Sequence, residues 1–396
     1  GNNAGVGPYD TQSLANIKYY YNYGGTVANG FGYTMINPDL TWEKTVEFNV
    51  GLDFGLFNNR INGTIDLYNK NSSDLLMEMQ TPFELGSYTG AIISNVGKVN
   101  NKGIEIQLNT LNVQTKDWNW ETSFSFARNI NTIKELNGGK EDLVGNKWFI
   151  GQPIDVVYGY KYMGICTREE AQAFANDPNM KTKFYEGEMK IYDKDGNGEI
   201  NADDKMILGH CAPTWTGSFV SNLAYKNWDF SVNVYVSQGG TVYSPFMGEF
   251  TDYSQRGMNR IKMDFYIPEG APKLAEDGSI TTQETTHYGE YPFPTNGTNG
   301  KGGGSFWMSG ENEDRAQNFV DNSYVKIKNI TLGYTFPKNW LQKLHISNLR
   351  VFANILNPLT FTSYKGFDPE CADAEVGDGT GGVSSRSWQF GINLKF

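Results

Sequence analysis

Hydrophobic and polar residues alternate one for one in segment after segment of this chain. Trp388, Phe390, Ile392, Leu394 and Phe396 fall on one side of the last ten residues, and Gln389, Gly391, Asn393 and Lys395 on the other. Val46, Phe48, Val50, Leu52 and Phe54 alternate in the same way with Glu47, Asn49, Gly51 and Asp53. So do Trp228, Phe230, Val232, Val234 and Val236 with Asp229, Ser231, Asn233 and Tyr235. Successive strand side chains point to opposite faces, so a period of two predicts strands and excludes helices there. Nine strands are expected, over 41–56, 60–71, 103–112, 117–129, 214–226, 228–237, 323–336, 348–356 and 387–396. In the last of them the apolar face carries rings towards both ends and aliphatic groups between, as in a strand that crosses a bilayer. About nine or ten tilted residues at roughly 3.3 Å each span the apolar band. Taken alone, this strand would equally close a soluble β-sandwich.

The connections separate the two cases. Breaks at 57–59, 113–116, 227 and 337–347 are short, whereas those at 72–102, 130–213, 238–322 and 357–386 are long. Short turns at one end and long loops at the other are the rule for outer-membrane barrels, with the turns periplasmic. Sandwich loops follow no such alternation. The expected fold class is therefore all-β, a transmembrane antiparallel β-barrel. Nine strands do not close an even-numbered barrel, and an unclosed sheet leaves bare edges. The chain thus reads as part of a barrel, with the remaining strands in a missing stretch or a second chain, and Trp388–Phe396 is expected to pair with a first strand outside it. Residues 1–40 read as the remainder of an extracellular loop, 41–396 as the C-terminal part of the barrel, and 130–213 as an extracellular insertion.

Composition narrows the function classes. No run approaches the ~20 apolar residues of a spanning helix. The net charge of −11 argues against nucleic acid, which selects basic surfaces. Cys166, Cys211 and Cys371, with His210, His287 and His345, are too scattered for a disulfide framework or a zinc site. The chain opens on Gly1-Asn2-Asn3 with no initiator Met, which suggests a removed leader or the later part of a longer chain.

The sharpest local motif runs from Asp193 to Asp204. Read as a twelve-residue calcium loop, it places Asp193, Asp195 and Asn197 at positions 1, 3 and 5, Gly198 at the turn and Ile200 at the apolar eighth position. Glu199 would offer its backbone carbonyl, Asn201 a side chain or a water contact, and Asp204 the closing carboxylate. A closing Asp departs from the EF-hand, which has Glu, and resembles the loops of dockerin modules. The competing reading is an acidic, Gly-rich surface turn. A structural Ca2+ here would brace the outer insertion.

Thr167 and Glu170 form a capping box for a short helix that Asp177-Pro178 ends. It reads as a helix packed beneath a long loop, with a lid or partner contact as the alternative. Aromatics in or beside the outer loops, Trp215, Tyr288, Tyr291, Phe293, and Phe306 and Trp307 (followed by Met308) after Lys301-Gly302-Gly303-Gly304, are candidates for stacking on sugars, though none is singled out and the substrate-binding residues stay unknown. No catalytic constellation is readable, so no enzyme is expected.

Several blocks carry a family resemblance. Asn37-Pro38-Asp39-Leu40-Thr41-Trp42-Glu43-Lys44-Thr45 before an alternating strand, and Asn95-Val96-Gly97-Lys98-Val99-Asn100-Asn101-Lys102-Gly103-Ile104-Glu105, resemble the SusC-like TonB-dependent outer-membrane transporters of Bacteroidetes. The Asp-rich loop leading to Ile207-Leu208-Gly209, then Pro213-Thr214, and the terminal Phe396 are similar to further blocks. The resemblance implies a barrel of about 22 strands with an N-terminal plug. It also implies a SusD-like surface lipoprotein as lid, energy from the TonB complex acting through the plug, and oligosaccharides or sometimes peptides as substrates. The function expected is energised import of a bulky nutrient, in the first place an oligosaccharide. The alternative is a secreted, calcium-stabilised β-sandwich that binds polysaccharide without transport.

Overall fold

In the computed structural model the described residues are 15–23, 25–33, 37, 39–81, 90–136, 139–244, 264–275, 277–293, 316–342, 345–372 and 383–396. One sheet contains nine strands with neighbours in chain order. They are Lys44–Leu56, Ile61–Gln80, Ala91–Gln114, Trp118–Leu136, Trp215–Tyr225, Trp228–Gln238, Tyr324–Thr335, Asn348–Thr362 and Ser387–Lys395, referred to below as the first to ninth strands. Each expected strand is present.

The outer ends run further than the alternation suggests. The second and third strands continue to Gln80 and from Ala91, which leaves 81–90 as the connection in place of 72–102. The fourth reaches Leu136 and the eighth Thr362. Register shifts at Ser72/Leu75 and Leu75/Leu76, with Asp74 at φ 57°, break the period while the ladder goes on. Asn357-Pro358 looks like a strand end, because proline brings no donor. Leu356 instead pairs with Asn329 and Leu359 with Ile327, so a bulge absorbs the proline. Beyond the bilayer neither face must be apolar, and there the period-two pattern lapses.

By internal contacts the chain divides into two units, 1–110 with 124–154 and 111–123 with 155–396. The first unit holds the first two strands, the third as far as Thr110, the outer part of the fourth, and a hairpin of Ala15–Tyr23 with Thr26–Tyr33. Its buried cluster, Met77, Val99, Ile133 and Leu136 with Trp148 and Ile150 against it, lies on the outer extensions of the strands. This packing is what the extra strand length provides.

The second unit holds the fifth to ninth strands and the insertion that follows Asp155. Val156–Gly159 pairs with Met206–His210, and Tyr162–Ile165 with Met189–Ile191. Cys166, Phe184, Met189, Ile191 and Ile200 form the insertion's core, and the helix Arg168–Asn176 presses Ala171 and Phe174 onto it.

In both units the apolar side of the strands faces outward and uncovered. Phe48 is 69% exposed, Phe390 79% and Ile392 69%. A β-sandwich needs a second sheet over such a face. The remaining sheets among the described residues have two strands each, so the sandwich alternative fails. A contiguous bare apolar face of this kind belongs against acyl chains.

Candidate functional site

The acidic loop folds as a tight, internally bonded turn between Ile191 and the 3-10 turn Ala202–Asp204. The Asp193 carboxylate accepts the Gly196 N–H at 2.7 Å and the Gly198 N–H at 2.8 Å. Asp195 accepts from Asn197, and the Asn197 side-chain oxygen accepts the Glu199 N–H at 2.7 Å. Asp204, fully buried, receives the N–H groups of Lys194 and Asn201, each at 2.8 Å. Gly196 and Gly198 take φ 72° and 78°, which side chains avoid. A Cβ on Gly198 would also stand 2.0 Å from the Asn179 carbonyl oxygen. The Gly198 carbonyl accepts from Lys181 and Thr182, which ties the loop to the chain after the helix.

This arrangement brings together carboxylate oxygens of Asp193, Asp195 and Asp204, all within 4.8 Å of one another. Two oxygens on opposite sides of a calcium ion, each about 2.4 Å from it, stand about 4.8 Å apart. The donor set is hard and oxygen-only, and each carboxylate oxygen keeps a lone pair beside its N–H bond. The Asn197 amide oxygen accepts the Glu199 N–H at 2.7 Å, and the Glu199 carboxylate pairs with Lys181 at 3.0 Å, while the ligand expected from Glu199 is its backbone carbonyl. Burial opposes the charge on Asp193, but the N–H groups of Gly198 and Gly196 outweigh it and hold the carboxyl below its ordinary range.

The other expected positions are distributed as follows. The Thr167–Glu170 capping box forms, and Arg168 reaches Glu186 at 3.0 Å and Glu269 at 3.2 Å. The helix therefore clamps the insertion to the segment 264–293. Phe293 covers Gly187, Tyr291 lies against Phe265, and Tyr288 meets Tyr266 edge-on. Tyr291 and Phe293 thus pack the loop, while Tyr288 stays exposed. Trp215 opens the fifth strand. Phe306, Trp307, Met308 and Lys301–Gly304 lie outside the described residues.

Two polar assemblies escaped the pattern reading. On the inward face of the first unit, Glu47, Asp66, Tyr68, Lys70, Glu105 and Asn129 line a cavity of about 520 Å³. Tyr68 lies flat over Gly103, where a Cβ would meet its ring at 2.1 Å, and donates to Asn129 at 3.2 Å. The sequence signal was the glycine directly opposite a tyrosine. In the second unit, Lys326 on the seventh strand is almost wholly buried. Its ammonium donates to Asp368 at 3.1 Å, to Glu370 at 2.5 Å and to the Ser384 hydroxyl at 2.7 Å, while Lys328 also pairs with Glu370. One lysine thereby holds both limbs of the connection between the eighth and ninth strands. Burial works against the charges of Asp368 and Glu370, yet the bonds from Ser384 to the first and from Lys326 and Lys328 to the second keep both carboxyls below their usual range.

The quoted blocks also meet in space. Asn95 accepts the Thr41 N–H at 2.8 Å and donates to the carbonyls of Thr41 and Asp74, which closes the bulge in the second strand. Asn37 donates to Ser94 at 3.2 Å.

Comparison with known proteins agrees with this architecture. Residues 9–262 match the model of the family described as TonB dependent receptor-like, beta-barrel. TonB-dependent receptor P3 of Formosa agariphila is 29% identical over 423 residues, covering 100% of this chain and 38% of the relative. TonB-dependent receptor SusC of Bacteroides thetaiotaomicron is 29% identical over 367 residues, covering 90% of this chain and 32% of the relative. Among solved structures, the RagAB peptide transporter superposes with a TM-score of 0.67 at 26% identity, covering 100% of this chain and 40% of that one. The chain spans about two fifths, or less, of the length of these relatives.

Proposed function

The chain belongs to the family of TonB-dependent receptor-like β-barrels, integral proteins of the outer membrane, and from that premise we propose that it serves the energised import of a bulky nutrient. On this reading the nine strands are part of the barrel wall, and residues 1–40 and the insertion 130–213 belong to the extracellular side. The observation that carries the reading is the division of faces. Apolar side chains cover the outside of the strands, while Glu47, Asp66, Lys70 and Glu105 line a wet inner surface. Such a wall passes polar solutes. An oligosaccharide is the first substrate class, as the resemblance of the sequence blocks implies. A peptide is the second, favoured by the likeness to the RagAB peptide transporter. A SusD-like lipoprotein would cap the outer loops, and the TonB complex would act through a plug domain.

The test is uptake by cells carrying or lacking the gene, with fluorescent oligosaccharides and oligopeptides offered separately. Uptake that requires both the protein and TonB supports import, and the compound taken up assigns the class. Accumulation that persists after collapse of the proton gradient would refute energised transport. Co-purification of a lipoprotein from solubilised outer membranes tests the partner.

The loop at 193–204 acts on this reading as a Ca2+ clasp for the insertion, with Asp193, Asp195 and Asp204 as carboxylate ligands and Asn197 and the Glu199 carbonyl completing the shell. Its support is the convergence of the three carboxylates on a space of calcium size. The bound ion would cross-link Asp193, next to Ile191, to the 3-10 turn at Asp204, and so stiffen the connection that carries Ile200 into the insertion core.

A further inference from the structure

The outward face of the sixth to ninth strands is grooved. Trp228, Tyr334, Val351 and Ile392 lie in one row across these strands, and Phe230, Leu332, Ala353 and Phe390 in the next. The eighth strand contributes the smallest side chain of each row. Val351 and Ala353 are therefore the floor of a channel along that strand, with Trp228, Leu332 and Tyr334 on one wall and Phe390 and Ile392 on the other. Its volume is about 590 Å³.

The end of the channel nearest the short turns is ringed and basic. Tyr334 stands 4.8 Å from Trp228 and 5.1 Å from Phe336, which in turn stands 6.3 Å from Trp340 in the turn helix Lys338–Leu341. Hydrogen bonds from Phe336 to Leu349 and from Ile346 to Leu341 hold this turn against the start of the eighth strand. Lys338 is exposed there. Lys226, in the neighbouring turn beside Trp228, lies over the Tyr225 ring at 5.2 Å. Residues 336–347 contain no Asp or Glu, in a chain of net charge −11.

We propose that this groove seats one anionic phospholipid of the periplasmic leaflet, with an acyl chain along Val351 and Ala353 and its phosphate on Lys338 and Lys226. The proposal rests on the membrane placement of the sheet with its short turns towards the periplasm, and not on the nutrient imported. Acyl chains are as apolar as the side chains they would touch, so hydrophobicity alone selects no lipid here. Selection comes from contact on three sides of a chain within a groove and from the cations at its mouth. A second copy of this protein is the poorer occupant, because a two-fold contact would bring the lysines of the copy against these.

The protein, full-length and folded in nanodiscs of phosphatidylcholine with a minor fraction of phosphatidylglycerol, is released and weighed by native mass spectrometry. One phosphatidylglycerol is expected to be retained in preference to phosphatidylcholine. Lys226→Gln with Lys338→Gln should lower that preference by about fivefold per lysine, the value of one cation at an anionic surface. Ala353→Phe, which fills the floor, should abolish retention while the barrel keeps its heat-modifiable migration. If that variant does not fold, Phe390→Ala, which removes a wall, takes its place with reduced retention expected. Equal retention in all variants overturns the proposal, as does a loss that follows charge alone while Ala353→Phe retains lipid. A dimer that Ala353→Phe dissolves would assign the groove to a second copy and overturn it as well.

Discussion

Replacement of Lys326 by methionine keeps the length of the side chain and removes the charge that holds the last outer connection. Asp368 and Glu370 would then face one another with Lys328, 31% exposed, as the remaining cation. Removing one partner of a buried ion pair costs about 3–5 kcal/mol, because the other charge stays buried and unpaired. Lys328 retains Glu370, so the lower end, about 3 kcal/mol, applies. The seventh strand itself keeps its ladder, since Val325 and Ile327 still pair with Phe361 and Leu359. The cost therefore falls on the connection, whose open population should rise roughly 100-fold. Hydrogen exchange followed by mass spectrometry should show faster exchange in peptides covering 363–372 and 383–386, with the peptides of the seventh strand unchanged. Lys328→Met, at a partly exposed pair, should shift the same peptides by less than about 1 kcal/mol. Unaltered exchange in Lys326→Met, or equal acceleration across the whole barrel, would refute the assignment of Lys326 as the anchor. Acid should act in the same direction. The folded-state carboxyls of Asp368 and Glu370 lie below their ordinary values, so their contribution is complete above about pH 5 and is lost as pH falls through the unfolded and then the lowered folded values. Opening of this connection should rise only below about pH 5.

Other expectations follow from single sites. Calorimetric titration with Ca2+ should show binding that Asp193→Ala and Asp195→Ala each remove, and an isotherm unaltered by these changes would exclude the clasp. Gly198→Ala should destabilise the insertion by about 1–3 kcal/mol from the left-handed backbone alone, with more from the Asn179 carbonyl, read as earlier proteolysis within 155–213. The Cys166 thiol, fully buried and pushed up to about 12 by burial first and by Glu170 next, should resist alkylation at pH 8, whereas exposed Cys211 should react within minutes. Peptide mapping after iodoacetamide distinguishes the two.

Much of the fold was legible because a membrane imposes its own period. A strand with lipid on one side and water on the other must alternate, so Val46–Phe54, Trp228–Val236 and Trp388–Phe396 declare their faces residue by residue. The calcium-type loop was legible for a related reason. Asp193, Asp195, Gly198 and Asp204 lie within twelve residues, and a local turn brings them together without help from the rest of the chain. The partners of the remaining side chains come from beyond that spacing: Lys181 pairs with the Glu199 carboxylate, and the Asn197 oxygen accepts the Glu199 N–H.

What the sequence determined by itself is thus periodic or local: the strand faces, the order of long and short connections, the capped helix and the spacing of the aspartates. Tertiary structure decided everything that depends on residues far apart in the chain. The bulge at Asp74 carries the second strand past the point where alternation ends, because Met77, Val99 and Ile133 have a core to bury there. Lys326 is one of two lysines in its strand until Asp368, Glu370 and Ser384 fold over it from 42 to 58 residues away. Ala353 is one small residue in a strand until Leu332 and Phe390 rise on either side and make it the floor of a groove. Period and spacing act within a few residues, whereas a buried charge or a groove is defined by neighbours that only the sheet register supplies.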